Sequence, residues 1–315
     1  MSGSLTVGVD VGGTKTAAIL LSGDGEILER STLPTGAHDD AASLAAVGDA
    51  IENVIGDAVT AIGVGAAGLI DVRSGTIVFS PNFSWRRVPI AARLTERFGL
   101  PVTVDNDATA GAWAEARVGA AAGSEDSLFV GVGTGIGGGI VTGGRLLRGA
   151  HGFAGEIGHV IVEPGGPACG CGNRGCWEQV ASGQALEREG IRAITEAPGS
   201  ALAVLAGGDP TKVTGELVAA AARDGNPVAA RIVRTIGWRL GEGIAGLVNV
   251  LDPAVVVVGG GVAAIGDPIF GPLREAYLGS VEGRRDRPDV SIVPAALGVE
   301  ASAIGAAMIA REAGS

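Results

Sequence analysis

Three of the side chains best able to hold a metal are packed into ten letters of this chain. The stretch CGCGNRGCWE, residues 169–178, contains Cys169, Cys171 and Cys176, and the whole sequence of 315 residues has 3 Cys. A disulfide would leave one thiol over, and the Cys169-Gly-Cys171 pair is too tightly spaced for an unstrained bridge. Three thiolates need one further ligand to complete a tetrahedron, and His159 stands ten positions before Cys169. Glycines between the cysteines permit the tight turns that aim several sulfurs at one point. The pattern points to a structural Zn²⁺ site of His159, Cys169, Cys171 and Cys176. Protein fills all four positions, so the metal is not expected to do chemistry.

A second group of residues is suited to proton transfer. VDNDATAGAW, residues 104–113, puts Asp105, Asn106 and Asp107 where a strand gives way to a helix. Asp107 has two readings: a helix N-cap, or a general base that takes a proton from a hydroxyl nucleophile. Asn106 would then hold a neighbouring hydroxyl. GEIGHV supplies Glu156 and His159, and Glu178 closes the cysteine stretch. SPNFSW adds Asn82, and Gly68 in GAAGL allows close backbone approach. Acceptors and amides so spaced suit a polyhydroxylated ligand better than a charged one.

Three glycine turns could receive an anion. In DVGGTK, Gly12 and Gly13 can present backbone N–H groups, Thr14 a hydroxyl and Lys15 a cation. Asp10, at the end of the strand, could hold Mg²⁺ through water. GVGTGIGGG offers a second turn through Gly133, Thr134, Gly135 and Gly137, and VGGGV a third through Gly259, Gly260 and Gly261. Neither of the first two fits the P-loop, and a Rossmann fingerprint is poorly met because a strand follows the glycines of DVGGTK. Three turns on one frame point to a nucleotide, with the third suited to base and ribose.

These groups need elements to carry them. Strand signals at LTVGVDV, KTAAILL and EILERSTL are separated by short turns and predict an antiparallel meander. A helix from about residue 40 to 57, a strand, a hairpin, a helix near 89–98 and the strand PVTVDND follow, in the order β-β-β-α-β-α-β. SLFVGVGTGIGGGIV then restarts the order, so the chain reads as two duplicated lobes facing one cleft. Residues 151–179 form an insertion that carries the cysteine loop. The hydrophobic fraction of 46% is ample for a large core, yet no apolar run is long enough to span a bilayer. No signal peptide is visible at MSGSLTVGVD, and free thiols point to the cytoplasm. A net charge of −11 repels polyanions and argues against nucleic-acid binding.

DVGGTK, VDNDA, GTGIGGG, GEIGH and CGCGNRGCWE, in this order, resemble the ROK family (repressors, open reading frames, kinases), and within it the bacterial ATP-dependent glucokinases. The likeness runs from about residue 5 to 310. It implies an α/β protein of actin-like ATPase, ribonuclease H-like fold, with two duplicated β-β-β-α-β-α lobes around a central cleft. The small lobe is expected to comprise residues 1–108 and 298–315, and the large lobe, with the zinc loop, residues 109–297. The resemblance implies Asp107 as catalytic base, sugar-hydroxyl contacts from Glu156, His159, Glu178, Asn106, Asn82 and Gly68, and the same four zinc ligands. It implies glucose and ATP as substrates, Mg²⁺ with the nucleotide, no membrane or nucleic-acid partner, and a homodimer or homotetramer. Kinases for N-acetylglucosamine, N-acetylmannosamine, fructose or allose share the sugar motifs. A sugar-responsive repressor would need a helix-turn-helix ahead of DVGGTK, where nine residues precede Asp10. Polyphosphate is a further phosphoryl donor to weigh, against which the cysteine loop and VGGGV favour ATP.

Overall fold

The structure, a computed structural model, describes residues 4–36, 39–80 and 83–314. Asn82 lies outside the described residues. The chain divides into two compact units. The first comprises residues 1–129, 138–155 and 295–315, and the second residues 130–137 and 156–294.

The chain begins with β1 (Leu5–Val11), β2 (Lys15–Leu21) and β3 (Ile27–Pro34), followed by α1 (Asp40–Glu52) and β4 (Val59–Ala66). The expected hairpin is a three-stranded antiparallel sheet of β5 (Leu69–Asp71), β6 (Thr76–Phe79) and β7 (Arg86–Val88). Next come α2 (Ile90–Phe98), β8 (Val102–Asn106) and α3 (Asp107–Val118). The first sheet has the order β3-β2-β1-β4-β8. Its first three strands are antiparallel, and β4 and β8 run parallel to β1. Val7, Val9 and Val11 of β1 are fully buried, as befits a central strand, whereas β3 exposes Glu29 and Arg30 along an edge. Asp39 caps α1 by accepting from the amides of Ala41 and Ala42.

The second half supplies β9 (Ser127–Val132), β10 (Ile136–Thr142) and β11 (Arg145–Leu146), then α4 (Glu178–Ala181), α5 (Gly183–Glu196), α6 (Ala201–Leu205), α7 (Gly215–Arg223) and α8 (Pro227–Leu251). β12 (Val255–Gly259), α9 (Asp267–Ser280), β13 (Ser291–Pro294) and α10 (Ala301–Ala313) complete it. The second sheet has the order β11-β10-β9-β12-β13. Both sheets therefore run third, second, first, fourth, fifth strand. The duplication expected from the glycine motifs is present as topology. α8, the longest helix, starts with Pro227 behind an Asn226 cap that accepts from Val228 and Ala229.

One helix fixes the first unit. α10 lies on the first sheet so closely that a Cβ at Gly8 would sit 1.9 Å from the Ala303 carbonyl oxygen, and one at Gly63 1.9 Å from that of Ala306. Ile304, Ala307 and Met308 of the same helix join Ile19, Leu21 and Trp113 in one apolar cluster. α3 packs against α10 through small residues and so stays with the first unit, which runs on to residue 129. The boundary read from sequence at residue 108 falls at the start of this helix. Gly63→Ala is expected to destabilise the fold by at least about 1–3 kcal/mol through overpacking. Gly56→Ala, where a new methyl meets nothing within 4 Å, is the control in the same urea titration. Equal midpoints would show that the contact tolerates a side chain.

Candidate active site

The last two residues of β8 and the first of α3 set up the carboxylates of the first unit. Asn106 is the N-cap of α3: its Oδ1 accepts from the amides of Ala108 at 2.9 Å and Thr109 at 3.1 Å. The cap of α3 is thus Asn106 and not its neighbour Asp107. Asp107 sits in the first turn, with Oδ1 accepting from the Ala108 amide at 2.9 Å. Burial raises its pKa above the ordinary carboxylate range, and the backbone amides only partly oppose this. Asn106 also donates through Nδ2 to the Gly68 carbonyl at 3.3 Å. Gly68 has φ +123°, and a Cβ there would lie 2.1 Å from the Phe79 carbonyl oxygen. These contacts bring Asn106, Asp107 and Gly68 together.

Asp10 stands at the end of β1, next to the first glycine turn. Burial pushes its pKa up to about 6, the charge of Asp107 pushes the same way, and the Ser302 hydroxyl and Lys15 oppose both. Asp10 and Asp107 are therefore two desolvated acids close enough for the charge of one to act on the other. In the turn, the Gly12 amide donates to the Lys15 carbonyl at 3.0 Å, so it closes the turn rather than facing an anion. Thr14 and Lys15 are exposed. Buried Thr35, at the end of β3, braces the turn: its hydroxyl donates to the Gly12 carbonyl at 2.7 Å and its amide to the Thr14 carbonyl at 3.0 Å.

The second unit holds the other two turns. The Gly133 and Thr134 carbonyls accept from the Gly183 amide at 2.8 Å and the Gln184 amide at 3.2 Å, which ties this turn to the start of α5. A Cβ at Gly135 would lie 2.5 Å from Glu178 Oε2, so that turn and Glu178 are neighbours. Gly137 follows on β10. After β12, Val262 donates to the Val132 carbonyl at 3.0 Å, which pins the third turn, while Gly260 and Gly261 are exposed. A 3₁₀ turn at Ala263–Ile265 intervenes before α9.

His159, Cys169, Cys171 and Cys176 each offer one ligand atom, all within 4.8 Å of one another. Cys171 Sγ and Cys176 Sγ are 3.6 Å apart, and Cys169 Sγ is 3.6 Å from His159 Nδ1. With Zn–S of about 2.3 Å and Zn–N of about 2.0–2.1 Å, a tetrahedron has S···S edges of about 3.8 Å and S···N edges of about 3.6 Å. The cluster is compatible with a structural zinc ion. Burial pushes the Cys169 thiol up to about 12, so without a cation this loop would keep that sulfur protonated. Because Nδ1 faces the sulfurs, Nε2 points away, 3.8 Å from Glu156 Oε2. Glu178 Oε1 lies 3.7 Å from His159 Nδ1 and 3.1 Å from Cys169 Sγ. Glu156, His159 and Glu178 thus share one neighbourhood.

A backbone frame holds this loop. The Cys169 amide donates to the Asn173 carbonyl, Gly175 to Pro167 and Trp177 to Val160, each at 2.8 Å. Fully buried Trp177 anchors it to α8 by donating from Nε1 to the Arg239 carbonyl at 3.0 Å.

The ROK family pattern matches residues 6–313. The chain belongs to the ROK family. It is 40% identical over 311 residues to a glucokinase of Streptomyces coelicolor, covering 98% of each chain. It is 37% identical over 322 residues to a glucokinase of Thermotoga maritima, covering 97% of each. Among solved structures, a ROK family glucokinase from Streptomyces griseus in complex with glucose and AMPPNP superposes with a TM-score of 0.90 at 41% identity, covering 98% of this chain and 99% of that one. The fold is the actin-like ATPase fold of the ROK family.

Three residues of this ROK chain carry site geometry that sequence reasoning missed. Thr35 braces the first turn, Ser302 acts on Asp10, and Arg148 pairs with Asp105 at 2.8 Å. None lies in a glycine or acidic motif. Each reaches the site only through the fold.

Asp10 also has a measurable stability signature. Its folded pKa is raised from 3.8 to about 6, so its favourable contribution is fully present below pH 3.8 and is lost as pH rises through about 6. Asp10→Asn removes the charge and is expected to stabilise the Mg²⁺-free protein at pH 7.5 by on the order of 1–3 kcal/mol. At pH 3.5 the difference should vanish. Denaturant titrations at the two pH values read it, and a destabilised variant at pH 7.5 would contradict the burial.

Proposed function

We propose that this chain transfers the γ-phosphoryl group of ATP to the 6-hydroxyl of glucose, giving glucose 6-phosphate, with Asp107 as the general base. The observation that carries this reading is the β8–α3 junction. Asn106 takes over the capping of α3, which leaves the raised-pKa carboxylate of Asp107 in the first turn. A base poised above the usual carboxylate range accepts a hydroxyl proton more readily near neutral pH. The full-length glucokinase relatives and the glucose and AMPPNP complex supply the substrate class. AMPPNP is an imido analogue of ATP.

In this reading Asn106, Gly68, Glu156, His159 and Glu178 receive the sugar hydroxyls, and Asn82 is assigned to the same task from its motif alone. Asp107 takes the proton of the attacking hydroxyl as the phosphoryl group transfers in line. Lys15, Thr14 and the Gly13 amide face the phosphates on the first turn. Gly133, Thr134, Gly135 and Gly137 serve the second, and Gly259, Gly260 and Gly261 serve the base and ribose. Mg²⁺ held through Asp10 would neutralise phosphate charge, and the partly desolvated Asp10 carboxylate suits a cation because a bound charge reverses its burial penalty. Zinc on His159, Cys169, Cys171 and Cys176 would supply a fixed tetrahedral node. Ligation through Nδ1 would fix the tautomer of His159 and leave Nε2 for a sugar hydroxyl. Among the described residues no helix is long and apolar enough to cross a membrane, which accords with action in the cytoplasm. Exposed Val160, Ile161 and Val162 support assembly into a homodimer or homotetramer.

Two experiments test the reading. Sugar phosphate formation is followed over a panel of glucose, N-acetylglucosamine, N-acetylmannosamine, fructose and allose, with ATP and with polyphosphate. Glucose with ATP should give the highest kcat/KM, and Asp107→Asn should lower kcat by about 10²–10⁴-fold while glucose still binds. Normal turnover in the folded variant would remove Asp107 from the chemistry. Metal analysis should find about one Zn²⁺ per chain, and Cys171→Ala should lose it. Glucose binding should weaken as the loop slackens, while the KM for ATP changes little. A fully active, zinc-free enzyme would refute the structural site.

A further inference from the structure

We infer that Arg148 is a positioning residue for the proton-accepting end of the site, acting on Asp107 through Asp105 and Asn106; this rests on the kinase reading above. Arg148 lies in the loop after β11 and is not itself one of the proposed substrate contacts. Its Nε donates to Asp105 Oδ2 at 2.8 Å. Asp105 spends its other oxygen on the Asn106 amide, at 2.9 Å. Asn106 then caps α3 and donates to Gly68. A continuous series of hydrogen bonds therefore runs from Arg148 to the residues on either side of the base.

The physics gives this series its direction. Asp105 is buried, its side chain only 4% exposed, whereas that of Arg148 is 32% exposed. Burial raises the pKa of Asp105, and the guanidinium is the first influence that lowers it. Without Arg148 the Asp105 carboxyl must protonate or turn toward water. Either change disturbs the acceptor that sets how the chain enters α3. Among the described residues Arg148 makes no other ion pair. The loop that bears it is itself braced: Ala154 donates to the Arg148 carbonyl at 3.1 Å, and a Cβ at Gly152 would lie 2.7 Å from the Ile70 carbonyl oxygen on β5. The clamp thus pushes from a supported base.

A merely structural ion pair would lower stability and leave kinetics intact. Positioning predicts a loss of turnover and of glucose use while ATP binding is spared. In Arg148→Met, kcat/KM for glucose should fall about 10²-fold, the loss expected when a reacting group shifts by about an ångström. The KM for ATP and the zinc content should stay within about twofold. Arg148→Lys should recover part of the loss by restoring the charge. Arg148→Met combined with Asp105→Asn should outperform Arg148→Met alone, because no unpaired carboxylate remains buried and the Asn106 amide keeps an acceptor. Should Arg148→Met fail to fold, the lysine and double variants carry the comparison. Wild-type kcat/KM for glucose in all folded variants would overturn the proposal while leaving the function standing. A wild-type chain that phosphorylates no hexose would overturn both.

Discussion

The close seating of α10 on the first sheet is the constraint from which the first half of the site follows. The Ala303 and Ala306 carbonyls occupy the space that side chains at Gly8 and Gly63 would need. At this distance the helix brings Ser302 to Asp10 and gives α3 a firm surface to pack on. α3 must then start where β8 ends, and Asn106 is the residue that can satisfy its first amides. Asp107 is left over by that arrangement. A packing requirement between glycine and alanine residues thereby ends in the placement of a carboxylate.

Electrostatics turns that placement into chemistry. The chain carries a formal charge of −11, and most of its acids are on the surface, where water stabilises the ionised form. Asp10 and Asp107 differ because burial raises both, and the charge of Asp107 adds to the effect on Asp10. In the proposed reaction, two acids held this way would favour an arriving cation and an arriving proton, which are the events of phosphoryl transfer to a hydroxyl. Exposed Lys15 supplies a positive charge that partly opposes the rise at Asp10.

The metal loop of the second unit solves a different problem. Residues 160–177 contain little regular structure beyond isolated bridges at Ile161–Cys176 and Ala168–Arg174. Their order comes from local backbone bonds, from Trp177 against α8, and from four ligand atoms drawn to one point. A short loop of this kind has little regular structure with which to offset its ordering entropy, and a tetrahedral ion would offset it instead. His159 is at once a candidate ligand and a neighbour of Glu156 and Glu178, so order in the loop is order in the acceptors proposed to face the sugar.

Much of this was legible in the residues. The cysteine count, the His159 spacing, the repeated glycine turn and the strand-to-helix acids are local patterns, and local patterns survive in one dimension. The two sheets share the strand order that the repeat implied. Other features required the folded chain. DNDA does not say which residue caps α3, because Asn and Asp both cap well; the backbone path placed Asn106 at that position. Gly12 looked like an anion donor until the hairpin consumed its amide. Arg148 is 43 residues from Asp105 in sequence, and Thr35 is 23 from Gly12. Residue types and short spacings determine which chemistry is available, because ligation and capping act over a few bonds. Which carboxylate is buried, and which arginine answers it, is decided by packing between distant segments, since desolvation and pairing exist only once those segments meet.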